Sequence, residues 1–385
     1  RLGDALREGA ITLQGREAFR DSTWPQWLEP ALQAEAMTVH RLLGSRGQQR
    51  GFTHHAGNPV GADVVLIDEA SMLDLPLLRA LLDALPETAV LVFVGDAEQL
   101  PPVGTGSVFL DLVTALEASA AGDVVRLQHS FRADQALVPV NEALRTGHPE
   151  DFMRACDSAG TQVQRQACNS LPQLQVCVQH WHRQLFSEWQ DAGLYTPVHP
   201  DDVAPKLAAV RGRQLLCALR EGPFGAEQVN ARLEALFRQA AGESAAGEWY
   251  PGRAVMITRN DAASGLFNGD IGICLRDSAG QLSVWFEGAS GLEGSIGPRA
   301  FAPDALPSHE GAFAITVHKS QGSEYGHVAV LLPPDTDNAV LSRQLLYTAA
   351  TRARKSLALW CTEPVLQASL AARNARSSAL PQRLG

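Results

Sequence analysis

The chain reads Val64–Val65–Leu66–Ile67–Asp68–Glu69–Ala70–Ser71 and, after a second apolar run, Gly95–Asp96–Ala97–Glu98–Gln99–Leu100–Pro101–Pro102. Between the two, Leu78, Leu81, Leu82 and Leu85 recur at helical spacing. Asp74 is placed to cap that helix, and Pro76 falls in its first turn, where a missing N–H costs little. The pattern is strand, helix, strand, which predicts two buried neighbours in a parallel sheet, Val64–Ile67 and 90–94, joined by a right-handed crossover. The fold class is therefore α/β, and both strand ends deliver acidic residues to the same edge. Such an edge suits nucleotide hydrolysis, with Asp68 holding Mg²⁺ through water and Glu69 orienting and deprotonating an attacking water. The plainer alternative is a pair of carboxylates capping a helix after a buried strand.

A phosphate-cradling loop would need Gly-Lys-Ser/Thr, and the three lysines, Lys206, Lys319 and Lys355, follow Pro205, His318 and Arg354. The glycine-rich Val103–Gly104–Thr105–Gly106–Ser107 contains no lysine. The expectation is that this loop lies upstream of Arg1, that the chain is a fragment, and that alone it hydrolyses ATP poorly or not at all.

The 385 residues are long enough for two or three domains, and 45% hydrophobic with 19% charged content is ordinary for a globular protein. No apolar stretch approaches the length of a membrane span, and no export leader is evident, so the expected location is cytoplasmic with no membrane partner. The six cysteines form no Cys-x-x-Cys pair and read as reduced packing residues. His54–His55 and His180-x-His182 lack Cys or carboxylate neighbours at ligand spacing and read as solvated or packing histidines. A net charge of −10 disfavours indiscriminate polyanion binding but leaves room for a local basic groove.

Further along, a second α/β unit is expected to start at Val124–Val125–Arg126–Leu127. It would resume at a strand over 214–219, followed by a helix with Val229, Leu233, Leu236 and Phe237 on its apolar face. Residues 150–205 read as a mainly helical insertion packed by Trp181, Phe186, Trp189 and Tyr195. From Pro251 short strands at 254–258, 271–275 and 283–286, with turns at Asn268–Gly269–Asp270 and Ser278–Ala279–Gly280, predict a small antiparallel barrel. Buried-strand patterns return at 312–317, 327–332 and 357–360, with a helix around 341–352, so the barrel interrupts the second unit.

Five stretches appear in a fixed order: Asp68–Glu69–Ala70–Ser71, Gly95–Asp96 with Gln99–Leu100, Ser130–Phe131–Arg132, Thr316–Val317–His318–Lys319–Ser320–Gln321–Gly322–Ser323–Glu324, and Tyr347–Thr348–Ala349–Ala350–Thr351–Arg352–Ala353. Together they resemble superfamily 1 helicases and, more narrowly, the RecD-like family, the alpha subunit of exodeoxyribonuclease V. Thr38–Val39–His40–Arg41–Leu42–Leu43–Gly44, Leu216 to Gly225, Arg259–Asn260–Asp261 and Gly265 to Asp270 add to the match. The resemblance implies two RecA-like parallel-sheet domains: a truncated first one over 1–120, and a second over 121–250 and 309–385. The latter carries the helical insertion at about 150–205 and an SH3-like β-barrel inserted at 251–308.

It further implies an ATP- and Mg²⁺-dependent motor moving 5′ to 3′ on single-stranded DNA in double-strand-break repair, with RecB-like and RecC-like subunits as partners and the nuclease on another subunit. Gln99 is then the amide that senses the γ-phosphate, while Asp96 fixes its loop. Arg132 and Arg352 reach across the cleft to the transferring phosphoryl group, a task for which a planar guanidinium is suited. Gly322 and Glu324 lie near the nucleotide. Thr316, His318, Lys319, Ser320 and Gln321, with Thr38 and His40 from the first domain, grip the DNA backbone without reading sequence. The rival reading is a non-motor DNA-binding or scaffolding subunit that keeps an ATPase fold for docking.

Overall fold

The computed structural model describes residues 9–12, 36–46 and 51–372, apart from 103, 105, 119–121, 128–132, 243–246, 262, 289, 292, 293 and 296. The short helix α1 (Val39–Leu42) leads into a small first lobe built on β1 (Val64–Ile67) and β2 (Val90–Phe93), which pair in parallel with Val64 opposite Val90. The crossover helix α2 (Leu75–Ala84) starts where Asp74 accepts a hydrogen bond from the Leu77 N–H. Its buried positions are Leu78, Leu81 and Ala84, whereas Leu82, placed on that face by sequence spacing, points outward. Helix α3 (Val108–Ala118) follows.

Full burial of both strands was expected, and here the structure differs. Burial alternates along β1: Val65 and Ile67 pack in the lobe's core, while Val64 and Leu66, with Val90 and Val92 beside them, are exposed. A period-two side chain covered on one face gives that alternation, and among the described residues only the α2 side is covered.

The strand expected at Val124–Leu127 is also absent. That segment has no ladder partner among the described residues, and Val125 and Leu127 stand 83% and 90% exposed.

The second lobe is the larger. Helices α4 (Val138–Thr146) and α5 (Pro149–Ser158) precede β3 (Val163–Gln166), α6 (Leu171–Asp191) and α7 (Val203–Val210). Next come β4 (Arg213–Cys217) and α8 (Ala226–Ala240). An antiparallel sheet then intervenes, with β5 (Ala254–Ile257), β6 (Ile271–Arg276), β7 (Leu282–Phe286), β10 (Arg299–Phe301) and β11 (His309–Gly311) in the order β10–β7–β6–β5–β11. A two-residue pair, β8 (Ser290–Gly291) with β9 (Gly294–Ser295), lies between β7 and β10. The parallel sheet resumes with β12 (Ala314–Thr316), β13 (Tyr325–Leu331), α9 (Arg343–Ala350), β14 (Ala353–Trp360) and α10 (Glu363–Ala371), giving the order β12–β4–β13–β14–β3.

Two details lie beyond the expectations. The segment 150–205, read as mainly helical, also contributes β3, the sheet's edge beside β14. Its polar Gln164 and Arg165 are exposed, so a buried-strand pattern could not reveal it. In the inserted sheet, the outer strands β10 and β11 do not pair with each other among the described residues, so an antiparallel sheet is present without barrel closure.

One hydrophobic core spans the second lobe. Phe237 stacks on Phe313 at 4.4 Å between centroids, flanked by Trp189 at 5.2 Å and by His182 edge-on at 4.6 Å. Burial holds the His182 ring below the ordinary histidine pKa, consistent with a packing histidine. Among the described residues no helix is long and apolar enough to cross a membrane.

Candidate functional site

The cleft between the lobes begins at the end of β1. Asp68 is exposed and accepts the Glu69 N–H at 2.9 Å. Glu69 has φ of 52°, the one non-glycine residue with positive φ among the described residues. A left-handed glutamate costs about 1–2 kcal/mol, and strain of this kind concentrates at functional sites. Gly95, at the end of β2, makes the turn possible, since a Cβ there would stand 3.0 Å from Ala70 N.

The loop after β2 is tied both to itself and to the second lobe. Asp96 accepts from Glu98 N–H at 3.0 Å and from the Gln99 amide at 3.4 Å, and it also accepts from the Tyr347 hydroxyl at 2.8 Å. Leu100 is 2% exposed and buried in the second lobe's core. Its N–H donates to Thr348 Oγ1 at 2.7 Å, and its carbonyl accepts from the Gln321 amide at 2.9 Å. Glu98 pairs with Arg343 at 3.2 Å. The Arg343 guanidinium also donates to Thr146 O, and only a glycine at 147 leaves it room. Burial, followed by the Asp96 charge and hydrogen bond, pushes the Tyr347 phenol well above its ordinary pKa, so its hydroxyl remains a donor.

Arg352 follows α9 and is buried, donating to Thr348 O at 3.1 Å, Ser323 O at 3.2 Å and Thr351 Oγ1 at 3.4 Å. Burial depresses its pKa, while the carboxylates of Glu69, Glu324 and Asp96 act in the opposite direction and favour its charge. The guanidinium of one lobe thus lies within electrostatic range of the strained glutamate of the other. Glu324 is held by Arg354 at 2.8 Å. Ser130, Phe131 and the expected second arginine, Arg132, lie outside the described residues.

The segment after β12 lines a cavity of about 630 Å³. His318, Lys319, Gln321, Gly322 and Glu324 form one wall; Met72 and Pro102 of the first lobe, and Asn268 to Ile271 of the inserted sheet, form the others. The expected DNA-gripping set is not uniform here. Ser320 is fully buried with its hydroxyl on Val317 O, Gln321 is spent on Leu100, and Thr316 Oγ1 accepts the Lys319 N–H at 3.4 Å. Thr38 caps α1 through the Arg41 N–H, and His40 is exposed on the same short helix; neither lines the cavity.

Sequence reasoning missed Arg343, Tyr347 and Thr348 as interface residues. The signal was available: Arg343, Tyr347 and Thr351, and beside them Gln344, Thr348 and Arg352, recur every four residues. A helix carrying two adjacent polar rows into an apolar lobe must meet polar partners there.

Residues 20–165 match the family described as an AAA domain, and residues 311–360 match the UvrD-like helicase C-terminal domain. The RecBCD enzyme subunit RecD of Mycobacterium tuberculosis is 34% identical over 351 residues, 91% of this chain and 58% of that protein. The ATP-dependent RecD2 DNA helicase of Deinococcus radiodurans is 32% identical over 368 residues, 91% of this chain and 43% of that protein. A Bacteroides Pif1 structure bound to single-stranded DNA aligns with 85% of this chain and 79% of that one, at 15% identity and a TM-score of 0.42. Over 91% of its length the chain is similar to RecD-like superfamily 1 helicases. It spans 58% of the length of the first of these relatives.

Proposed function

We propose that this chain is the cleft-forming part of an ATP-driven helicase that moves 5′ to 3′ on single-stranded DNA, in a RecBCD-type assembly with RecB-like and RecC-like partners in the cytoplasm. The observation that carries this reading is the seam that ties Asp96 and Leu100 of the first lobe to Tyr347 and Thr348 of the second, on the helix that ends beside Arg352, with each lobe built on parallel strands. In this reading residues 1–120 belong to the first RecA-like domain, 121–250 and 309–385 to the second, and 251–308 to an SH3-like insert whose strands β10–β7–β6–β5 are extended by β11 from just beyond its boundary.

Asp68 fits Mg²⁺, which is commonly held by one or two carboxylates with nucleotide phosphates and waters filling its remaining positions. The ion, when bound, neutralises phosphate charge. Glu69 orients and deprotonates the attacking water, its carboxylate aimed by the left-handed backbone. Arg352, with Arg132, stabilises charge on the phosphoryl group, an effect of about 10³ to 10⁵ in rate for arginine fingers. Gln99 reads the γ-phosphate. Gly322 and Glu324 border the nucleotide, and the 630 Å³ cavity receives the strand, with Thr316, His318 and Lys319 on its backbone and Thr38 and His40 further along the first lobe. Ser320 shapes the turn from inside, and Gln321 connects the DNA wall to the Gln99 loop through Leu100.

The absence of a Gly-Lys-Ser/Thr sequence in these 385 residues favours a second reading of the chain as it stands, a DNA-binding module without motor activity. Strand separation on duplexes with a 5′ or a 3′ overhang tests the choice. The chain should be assayed alone and joined to an amino-terminal segment carrying a Gly-Lys-Thr loop. The joined form should open only 5′-overhang duplexes with ATP; opening of 3′-overhang duplexes, or no opening at all, would reject the motor reading.

A further inference from the structure

The cavity wall contributed by His318 to Glu324 carries one lysine, and its ammonium is already engaged. Lys319 Nζ donates to Glu310 Oε1 at 2.6 Å, with both side chains 32% exposed. Glu310 belongs to β11, the outer strand of the inserted sheet, where it is in register with Met256 of β5. Lys319 belongs to the turn after β12, its N–H held by Thr316 Oγ1. Buried Ala312 and Phe313 connect the two strands. Both partners therefore stand on anchored backbone, unlike the long, mobile side chains of an ordinary surface pair. Arg220, paired with Glu227, also feels the Glu310 charge, so charges of both signs meet in this corner.

A carboxylate oxygen at this distance offers the ammonium what a phosphate oxygen would: a full or partial negative charge and a charge-assisted acceptor. We infer that Glu310 is an internal surrogate for a nucleic-acid phosphate. It holds Lys319 while the cavity is empty of DNA and yields it when a single strand enters. Loading DNA thereby releases the inserted sheet from the turn it clasps. The inference rests on the reading that Lys319 faces DNA. Because one ion pair is exchanged for another, Glu310 lowers affinity without changing how many phosphates the protein contacts.

The test is fluorescence anisotropy of a labelled oligo(dT) with this chain, across a salt series, for wild type, Glu310→Gln, Lys319→Ala and the double variant. Glutamine is nearly isosteric with glutamate, and thermal melting checks that folding is retained. Glu310→Gln should tighten binding by about 2- to 5-fold, the scale of a partly exposed ion pair. Lys319→Ala should weaken binding and lower the salt slope by about 0.7, the single-strand value per phosphate. In the Lys319→Ala background the gain from Glu310→Gln should vanish, since the carboxylate acts through that ammonium. No gain from Glu310→Gln alone, or an undiminished gain in the double variant, would overturn the surrogate role while leaving Lys319 on the DNA. Unchanged binding and salt slope in Lys319→Ala would instead defeat the DNA-facing reading, and the surrogate with it.

Discussion

The two parallel sheets obey the same local rules yet live in different surroundings. In β4 the burial runs Gln214, Leu215, Leu216 and Cys217 without interruption; in β1 it alternates residue by residue. The second lobe can therefore stand on its own core, whereas the first leans on its neighbour through Asp96, Glu98 and Leu100. Stability and chemistry are divided accordingly, with the strained glutamate on the lightly supported side and the buried arginine on the rigid one.

The sharpest way to break this contrast is Glu69→Gln in a form of the protein competent for ATP turnover. Removing the base should slow hydrolysis by about 10²- to 10⁴-fold, the usual contribution of a positioned acid or base, while nucleotide affinity is retained. Steady-state hydrolysis and equilibrium nucleotide binding measure the two separately, and unchanged turnover would remove Glu69 from the mechanism.

Next in size is a pair of core tests. Phe237→Ala should destabilise the second lobe by about 3–5 kcal/mol, because it empties the centre of the aromatic stack. Val92→Thr, on the bare face of the first lobe, should change stability by less than about 0.5 kcal/mol. Urea unfolding compares them, and similar losses at the two sites would mean that the exposed face of β2 is covered in solution.

A smaller loss than that of Phe237→Ala belongs to the bridge between the lobes. Tyr347→Phe removes one hydrogen bond to Asp96 and should cost about 1 kcal/mol. Hydrogen exchange at the amides of Glu98, Gln99 and Leu100 should quicken while those of β4 stay protected. Uniform quickening across both lobes would show that the bridge holds the whole fold and not the loop alone.

Much of this architecture was legible beforehand because it rests on local chemistry. The run Val64–Ile67 ending in carboxylates, the Asp74 cap and the helical spacing of Val229, Leu233 and Phe237 each follow from side-chain period and backbone hydrogen-bonding needs. What escaped depends on partners far away in sequence. Val124–Leu127 has strand composition but no neighbour to pair with, and β3 has a polar composition but finds β14. Ser320 and Gln321 share a polar stretch with His318 and Lys319, yet one faces inward and the other meets Leu100, 221 residues away. Glu310 gave no local hint of its role, since only folding brings it to Lys319.

Leu100 sets a limit on how the molecule can move. Because its side chain is lodged among the apolar residues of the opposite lobe, any opening that parts Gln99 from Arg352 must draw a leucine out of hydrocarbon into water, a penalty of about 1.5–3 kcal/mol. The shut form is therefore the resting posture, and a wide gape is an excursion that something must drive.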